Sequence, residues 1–509
     1  MADVTPAAHI GQLSPDGRWR WDGTSWRPVG SAPLPLWAGV KVRWRATWIA
    51  TASALLIGLV ADQSLRTGTF GLGASLTFVI AGLVAIRVGR LERAQSRLLV
   101  VAAVLFACWL TVRASPWLLW PDLLAILILL GLAASFASRG SAFDLGAAEL
   151  AARFFHALVQ LAAGAGFVAR PAVHARGKLS SAAPVLRGVL IALPIAVLIA
   201  GLLASADPVF ASFFNLNIDI GQLLLDVVFV LMGSMWAAGL LRLTASEPLD
   251  RIDGPVWRLG ATEALVVLAI LDAVFAAFAV AQVLAVSGAA GSTLRAAGVT
   301  YADYARSGFF QLLWVSGITL VLLVLFSRIS NFAERNARRA FMVLALSAIA
   351  LTLMIDAVAF RRLSLYEEAY GFTMLRLYSH IFAAWLAVVF FTLAAEFLGV
   401  WRRRRWFIGA TLTTAVALLL VLNLASPEAM VVAFNTSHAL SVHKIDGEYL
   451  SELSSDATPA LLGSRTQLDR SLRAQITRAA CIGPRSYAAP WAAFNWADQQ
   501  AAASRRSGC

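Results

Sequence analysis

An all-α, polytopic membrane bundle is the fold this sequence predicts, and three observations predict it. Apolar stretches near 20 residues, the length of a spanning helix, recur eleven times along the 509 residues. Only 14% of the residues are charged, against about a quarter in a soluble domain. The lysines and arginines fall largely on alternate loops, as orientation in a bilayer requires.

In chain order, residues 1–32 read as a Trp/Gly-rich β-hairpin module. Asp16-Gly17 and Asp22-Gly23 suit tight turns that need positive φ. Trp19, Trp21 and Trp26 are placed to cover one face of a short ribbon. So small a sheet is marginal alone, so it is expected to dock on the membrane surface or on a protein partner. Pro33 and Pro35 open a linker, 33–45.

The first four spans are expected at 46–64, 68–86, 98–114 and 117–137. A cytoplasmic segment, 138–187, follows, with a helix at 146–169. Glu149, Arg153, His156 and Gln160 recur at spacings of four, three and four, which sets them on one helix face. Phe154, Phe155, Leu158 and Leu161 lie elsewhere on the cylinder. This pattern fits an interfacial amphipathic helix, or a helix packed across the mouth of the bundle. Seven further spans, at 188–205, 221–241, 262–286, 309–327, 340–360, 377–400 and 406–424, make a core over 188–424.

Residues 425–509 read as a small extracytoplasmic helical tail. Pro427, Pro459 and Pro490 suit first helical turns. Leu468, Leu472 and Ile476 recur every four residues after Thr466, the expected N-cap.

Orientation follows from counting cations. With the N-terminus in the cytoplasm, the inner segments hold 27 Lys and Arg and the outer loops hold seven; the remaining eight lie in the tail. That asymmetry predicts a bacterial cytoplasmic membrane protein, N-terminus inside and C-terminus outside. It also accounts for the net charge of +13 without a nucleic-acid partner. A membrane-spanning helix at 146–169 would flip every later loop and destroy the asymmetry. Residues 1–40 lack a continuous apolar core, so the first span is expected to act as an uncleaved anchor.

The chemistry-bearing residues gather on the outer side. Asp122, Asp226, Asp272 and Asp356 lie inside expected spans, where a carboxylate costs about 2.5–3.5 kcal/mol and so usually faces protein or water. Of these, Asp272 alone lies near mid-depth. Outside, Asp207 stands in Ala206-Asp207-Pro208-Val209-Phe210. Tyr301, Asp303, Tyr304 and Arg306 precede Gly308-Phe309-Phe310. A third cluster runs from Arg361-Arg362 through Tyr366, Glu367, Glu368, Tyr370 and Gly371 to Arg376, Tyr378 and His380. Arginines at an outer surface oppose the orientation rule locally, so each needs a compensating partner. Glu367, Glu368, Asp303 or an anionic lipid head group or small solute are the expected ones.

The same clusters resemble the uncharacterised bacterial membrane family called domain of unknown function 4173. The resemblance rests on Tyr301 to Arg306 with Gly308-Phe309-Phe310, on Tyr366, Glu367, Tyr370-Gly371, Thr373 and Leu375-Arg376, and on Ala206 to Phe210. In the tail it rests on Asp446, Tyr449-Leu450, Leu453-Ser454, Asp456-Ala457, Pro459 to Leu461 and Asn495-Trp496. It covers roughly 180–500 and leaves the Trp hairpin outside. It implies the same membrane architecture and supplies no catalytic residue.

No phosphate-binding Gly-Lys-Ser/Thr loop occurs. His438 and His443 lack a supporting carboxylate or cysteine cluster, so neither a metal nor another cofactor is expected. Cys108 lies within a span, whereas Cys481 and Cys509 share the oxidising side and are able to pair.

The leading functional expectation is a transport or ligand-binding protein with an outward-facing polar vestibule. It would be built from Asp207, Asp272, Tyr301, Tyr304, Arg306, Asp356, Arg362, Tyr366, Glu367, Tyr370 and Arg376. Two alternatives stand beside it. One is a membrane-embedded enzyme acting on a lipid-linked or envelope substrate, with Glu367 or Glu368 as general acid or base. The other is a scaffold or sensor that engages partners through its hairpin and its outer helices.

Overall fold

The computed structural model describes residues 42–175, 220–247, 259–286, 308–400 and 406–509, with scattered positions within 12–28 and 192–210. In chain order the long helices are α1 (Trp48–Thr67), α2 (Leu72–Arg87), α3 (Ala94–Val112), α4 (Pro116–Ser135), α5 (Ala147–Ala162) and α6 (Ile220–Ala245). They continue with α7 (Ala261–Val286), α8 (Phe309–Ile329), α9 (Arg335–Tyr370), α10 (Met374–Phe397) and α11 (Phe407–Ala425). Among the described residues, nine of these are long and apolar enough to cross a membrane; α2 is apolar but shorter, and α5 is not among the nine. The span expected at 188–205 lies largely outside the described residues.

Two helices differ in length from their sequence expectation, for identifiable reasons. α2 begins only at Leu72, because the chain at 492–494 occupies the space before it. Leu72 donates its backbone N–H to the Phe494 carbonyl at 2.9 Å. A Cβ on Gly71 would stand 2.8 Å from the Ala493 carbonyl carbon, so only glycine allows this approach. In contrast, α9 runs 36 residues, or about 54 Å, well beyond a hydrocarbon core of about 30 Å. Residues 361–370, expected as a loop, form its last turns.

Small residues set close helix contacts. A Cβ on Gly58 of α1 would lie 2.4 Å from the Val230 carbonyl oxygen of α6. Without a hydrophobic force between helices in lipid, such backbone approach supplies the packing. α1 to α4 and α6 share one core cluster that includes Ile57, Phe106, Ile126 and Leu240. α7 to α10 share a second, including Leu268, Leu323, Ile349 and Phe390. α11 touches both, with Leu419 and Leu420 against the first cluster and Phe407 in the second.

α5 packs on α6 and α4 by its polar face. Glu149, Arg153 and Gln160 are buried, while Phe154, Phe155 and Leu158 are exposed. Arg153 donates to Glu149 at 2.7 Å and to the Ser135 hydroxyl at 2.8 Å. Arg242 of α6 donates to Gln160 at 2.7 Å. The amphipathic period is as expected, with the polar side turned toward the protein and the phenylalanines turned away from it.

The tail is helical and carries its own core. α12 (Pro427–Val442), α13 (Arg470–Ala480) and α14 (Trp496–Gly508) are its longer helices. Leu468, Leu472 and Ile476 are buried together with Val432, Leu450 and Leu461. The expected cap at Thr466 is corrected to Asp469, whose carboxylate accepts from the backbone N–H groups of Ser471 and Leu472. Residues 465–467 are instead a tight turn continuing the preceding helix, which leaves Asp469 as the extended residue before α13. Pro427 and Pro459 stand in first helical turns, while Pro490 precedes a single 3-10 turn at Trp491–Ala493. Cys481 and Cys509 are joined in a disulfide, Cα–Cα 5.8 Å, which fastens the end of α14 to the end of α13. At the other terminus two three-residue strands, Trp19–Trp21 and Trp26–Pro28, pair antiparallel with Trp21 opposite Trp26.

Candidate functional site

The last turns of α9 and the first turns of α10 form the densest polar constellation that the sequence had marked. Gly371 ends α9 at φ 75°, a positive φ suited to glycine, with its N–H on the Glu367 carbonyl at 2.8 Å. Thr373 then caps α10 by accepting from the Arg376 N–H. This sharp reversal brings Arg376 and His380 back against the final turns of α9.

Glu367 is buried, and its Oε1 lies 3.1 Å from His380 Nδ1. The opposite ring nitrogen, Nε2, lies 3.2 Å from the Ser364 hydroxyl. A histidine that donates from Nδ1 to the carboxylate presents Nε2 as an acceptor to that serine. Ser364 also reaches the Phe360 carbonyl, at 3.1 Å. Arg376 stacks over the Tyr366 ring at 4.3 Å and donates to the Gly371 carbonyl. Tyr366 packs on Tyr370 at 4.8 Å between centroids. The group thus offers a guanidinium with unused donors, two phenols and a buried carboxylate paired with a half-buried imidazole.

The tail is fastened over this end of the bundle. Asn435 clasps Phe372 both ways, accepting from its N–H at 2.9 Å and donating to its carbonyl at 2.8 Å. Tyr449 accepts from the Met374 N–H at 2.6 Å. Beside them, Asp456 accepts from the backbone N–H groups of Ala114 and Ser115, both at 2.9 Å. Arg113 lies 3.7 Å from the second Asp456 oxygen and donates to the Asn423 carbonyl. Asn423 donates to Asp122 at 2.7 Å. Glu428 accepts from the N–H and hydroxyl of Ser454, at 2.9 and 2.7 Å. Burial pushes the Glu428 and Asp456 carboxyls above their ordinary range, while these hydrogen bonds pull the other way.

The remaining expected residues scatter. Asp272 is buried on α7, 9% exposed, and Asp356 is buried on α9, accepting from Ser316 at 2.5 Å. Ser347 stands beside Asp272, and it precedes Asp356 by nine residues, about 14 Å along α9. Arg362 donates to Gln282 at 3.3 Å. Asp207 is exposed and accepts from the Phe210 N–H at 3.5 Å. Tyr301, Tyr304 and Arg306 lie outside the described residues. Of the expected arginine partners, Asp303 lies outside the described residues. Glu367 faces His380 rather than an arginine, because it points from α9 toward α10. Arg66 is met by Asp62 and Asp226, and Arg113 by Asp456.

Sequence reasoning did not single out Ser364, Glu428, Asn423 or Asn435, and marked Asp456 only through the resemblance. Their partners on other elements lie 16 to 342 residues away, and no local pattern marks such pairs. Among the described residues no group of three or more His, Cys, Asp and Glu could hold a metal ion.

A family model described as a domain of unknown function, DUF4153, matches residues 100–463. This corrects the resemblance to domain of unknown function 4173: both the family and its extent differ. The match begins inside α3, includes the α9–α10 site, and ends within the tail, before the disulfide. No curated protein and no solved structure matches the chain.

Proposed function

This chain belongs to the DUF4153 family, and we propose that it works as a transport or ligand-binding protein of the bacterial cytoplasmic membrane. In this reading the N-terminus is cytoplasmic and the tail lies outside. The count of 27 inner against seven outer cations supports that orientation. So does a disulfide in the tail, since such bonds persist in oxidising compartments. The Trp19–Trp21 ribbon would then meet a protein partner or the lipid surface on the cytoplasmic side.

The observation that carries the reading is the pairing of the buried Glu367 with His380, set beside Arg376 under a tail that is hydrogen-bonded in place. Arg376 keeps donors beyond those used on Gly371, and Arg361 is exposed one turn before Ser364. An anionic head group or small acidic solute fits this chemistry. Tyr301, Tyr304 and Arg306 would complete the rim. The test is thermal unfolding of the purified full chain with short-chain phosphatidylglycerol, short-chain phosphatidylcholine or inorganic phosphate. Stabilisation by the first or the last, lost in Arg376→Ala, is expected. Equal response of wild type and variant to all three would contradict the reading.

A second reading is favoured by one specific feature, the line Ser364–His380–Glu367. Serine, histidine and carboxylate in that order can perform acyl transfer, with serine as nucleophile and histidine as base. Covalent labelling of Ser364 by a fluorophosphonate, abolished in His380→Ala, would move the protein to the enzyme class. No labelling leaves ligand binding as the account.

A further inference from the structure

Asp272 is the twelfth of the 26 residues of α7, which places it about midway along a helix some 39 Å long. It is 9% exposed, and both carboxylate oxygens are fully buried without a hydrogen-bond partner. On the same face, four residues before and three after it, Leu268 and Phe275 are buried in apolar clusters. Ser347 of α9 is the polar side chain beside it.

A carboxylate in such surroundings is costly in a way its alternatives are not. An ionised group buried with one hydroxyl beside it as donor regains little of its lost hydration. The described residues of α8 and α9, the elements packed against this part of α7, set no charged group against it. Asp356 is the nearest acid along α9, and its contact is Ser316 on α8. A metal cation would need several oxygen ligands around it, whereas one hydroxyl stands here. A proton needs none of these. The neutral acid removes the charge and asks for a single acceptor, which the Ser347 hydroxyl can supply.

We propose that Asp272 is a proton-binding site, a carboxylic acid that stays protonated at the middle of the bundle and exchanges its proton only when water reaches it. The proposal rests on the transport reading to the extent that it gives that transport a coupling ion. The bond changes are limited to one O–H: when water reaches the site the carboxylate takes its proton from hydronium, leaving water, and returns it to water as hydronium. Asp356, whose one oxygen is hydrogen-bonded to Ser316, sits closer to the tail-side end of α9 and would lie on the way out.

The test does not need the transported molecule. The full chain in liposomes is treated at neutral pH with dicyclohexylcarbodiimide, an apolar reagent that reacts with protonated carboxyls in apolar surroundings, and its peptides are mapped by mass spectrometry. A stable adduct on Asp272 is expected, absent in Asp272→Asn and retained in Asp272→Glu. Infrared difference spectra of wild type minus Asp272→Asn should show the carbonyl band of a protonated acid. A wild type that shows neither adduct nor band overturns the proposal. Because neither readout involves Arg376, that result would leave the outer ligand site standing, and failure at Arg376 would leave Asp272 standing.

Discussion

Asp456 in the tail accepts hydrogen bonds from the Ala114 and Ser115 backbone at 2.9 Å, while Arg113 stands 3.7 Å from its other oxygen. Residues more than 340 positions apart thereby join the α3–α4 turn to the segment that roofs the bundle. Breaking a buried pair leaves a charge without compensation, and Asp456 is 4% exposed in its side chain. Asp456→Ala should therefore cost about 3 kcal/mol and free the tail. A lower thermal midpoint, with faster proteolysis near Pro427, would be the sign. Proteolysis as slow as in the wild type would show that Asn435 and Tyr449 hold the tail alone.

The same acids make docking depend on pH. Burial raises Asp456 and Glu428 above their free values, so the docked tail binds more protons than the released one. Stability from this source is present in acid and is lost as pH rises through the raised values. Fluorescence of the exposed Trp491 and Trp496 should report a higher midpoint for tail release at about pH 5 than at about pH 8. Asp456→Asn should flatten that slope.

The disulfide closes a loop with a sequence separation of 28 residues, worth about 3.6 kcal/mol on chain-entropy grounds. Arg505 supports it by donating to the Ala480 carbonyl at 3.0 Å. Reduction, or Cys481→Ser, should lower the thermal midpoint of the tail while membrane insertion stays intact. An unchanged midpoint would show that the buried Arg505 contacts suffice.

Gly58 tests the helix packing. A side chain there meets the Val230 carbonyl, which is backbone and cannot swing aside. Gly58→Leu should separate α1 from α6 and cost more than about 3 kcal/mol, the upper part of the overpacking range. The reading is heat-induced aggregation of the purified protein; wild-type behaviour would contradict the contact.

Much of this architecture was legible from residue type alone. Runs of about 20 apolar residues announce spanning helices because hydrocarbon leaves the backbone no other partner than itself. The period of Glu149, Arg153 and Gln160 announced a polar face on α5, although not that it would turn inward. That direction depends on which neighbour exists, here Gln160 meeting Arg242. The α9–α10 cluster was visible as crowded Tyr, Glu and Arg, whereas the pairing of Glu367 with His380 was not, because both helices must be in place first. The tail's grip on Ala114, Ser115 and Phe372 left no local trace, since most of it runs through backbone groups that every residue has. The length of α9 was missed for a related reason: Arg361 and Arg362 look like a loop by polarity, yet they are good helix formers.

The central claim is that the tail covers an extracytoplasmic mouth of the bundle. Gln500 is exposed on α14, so Gln500→Cys offers a single reporter there, with Cys481 and Cys509 joined to each other. Intact cells would be treated with a membrane-impermeant maleimide, and the label at position 500 quantified. The account predicts full labelling without opening the cells. Labelling only after permeabilisation would place the tail and the Glu367–His380 site in the cytoplasm and contradict it.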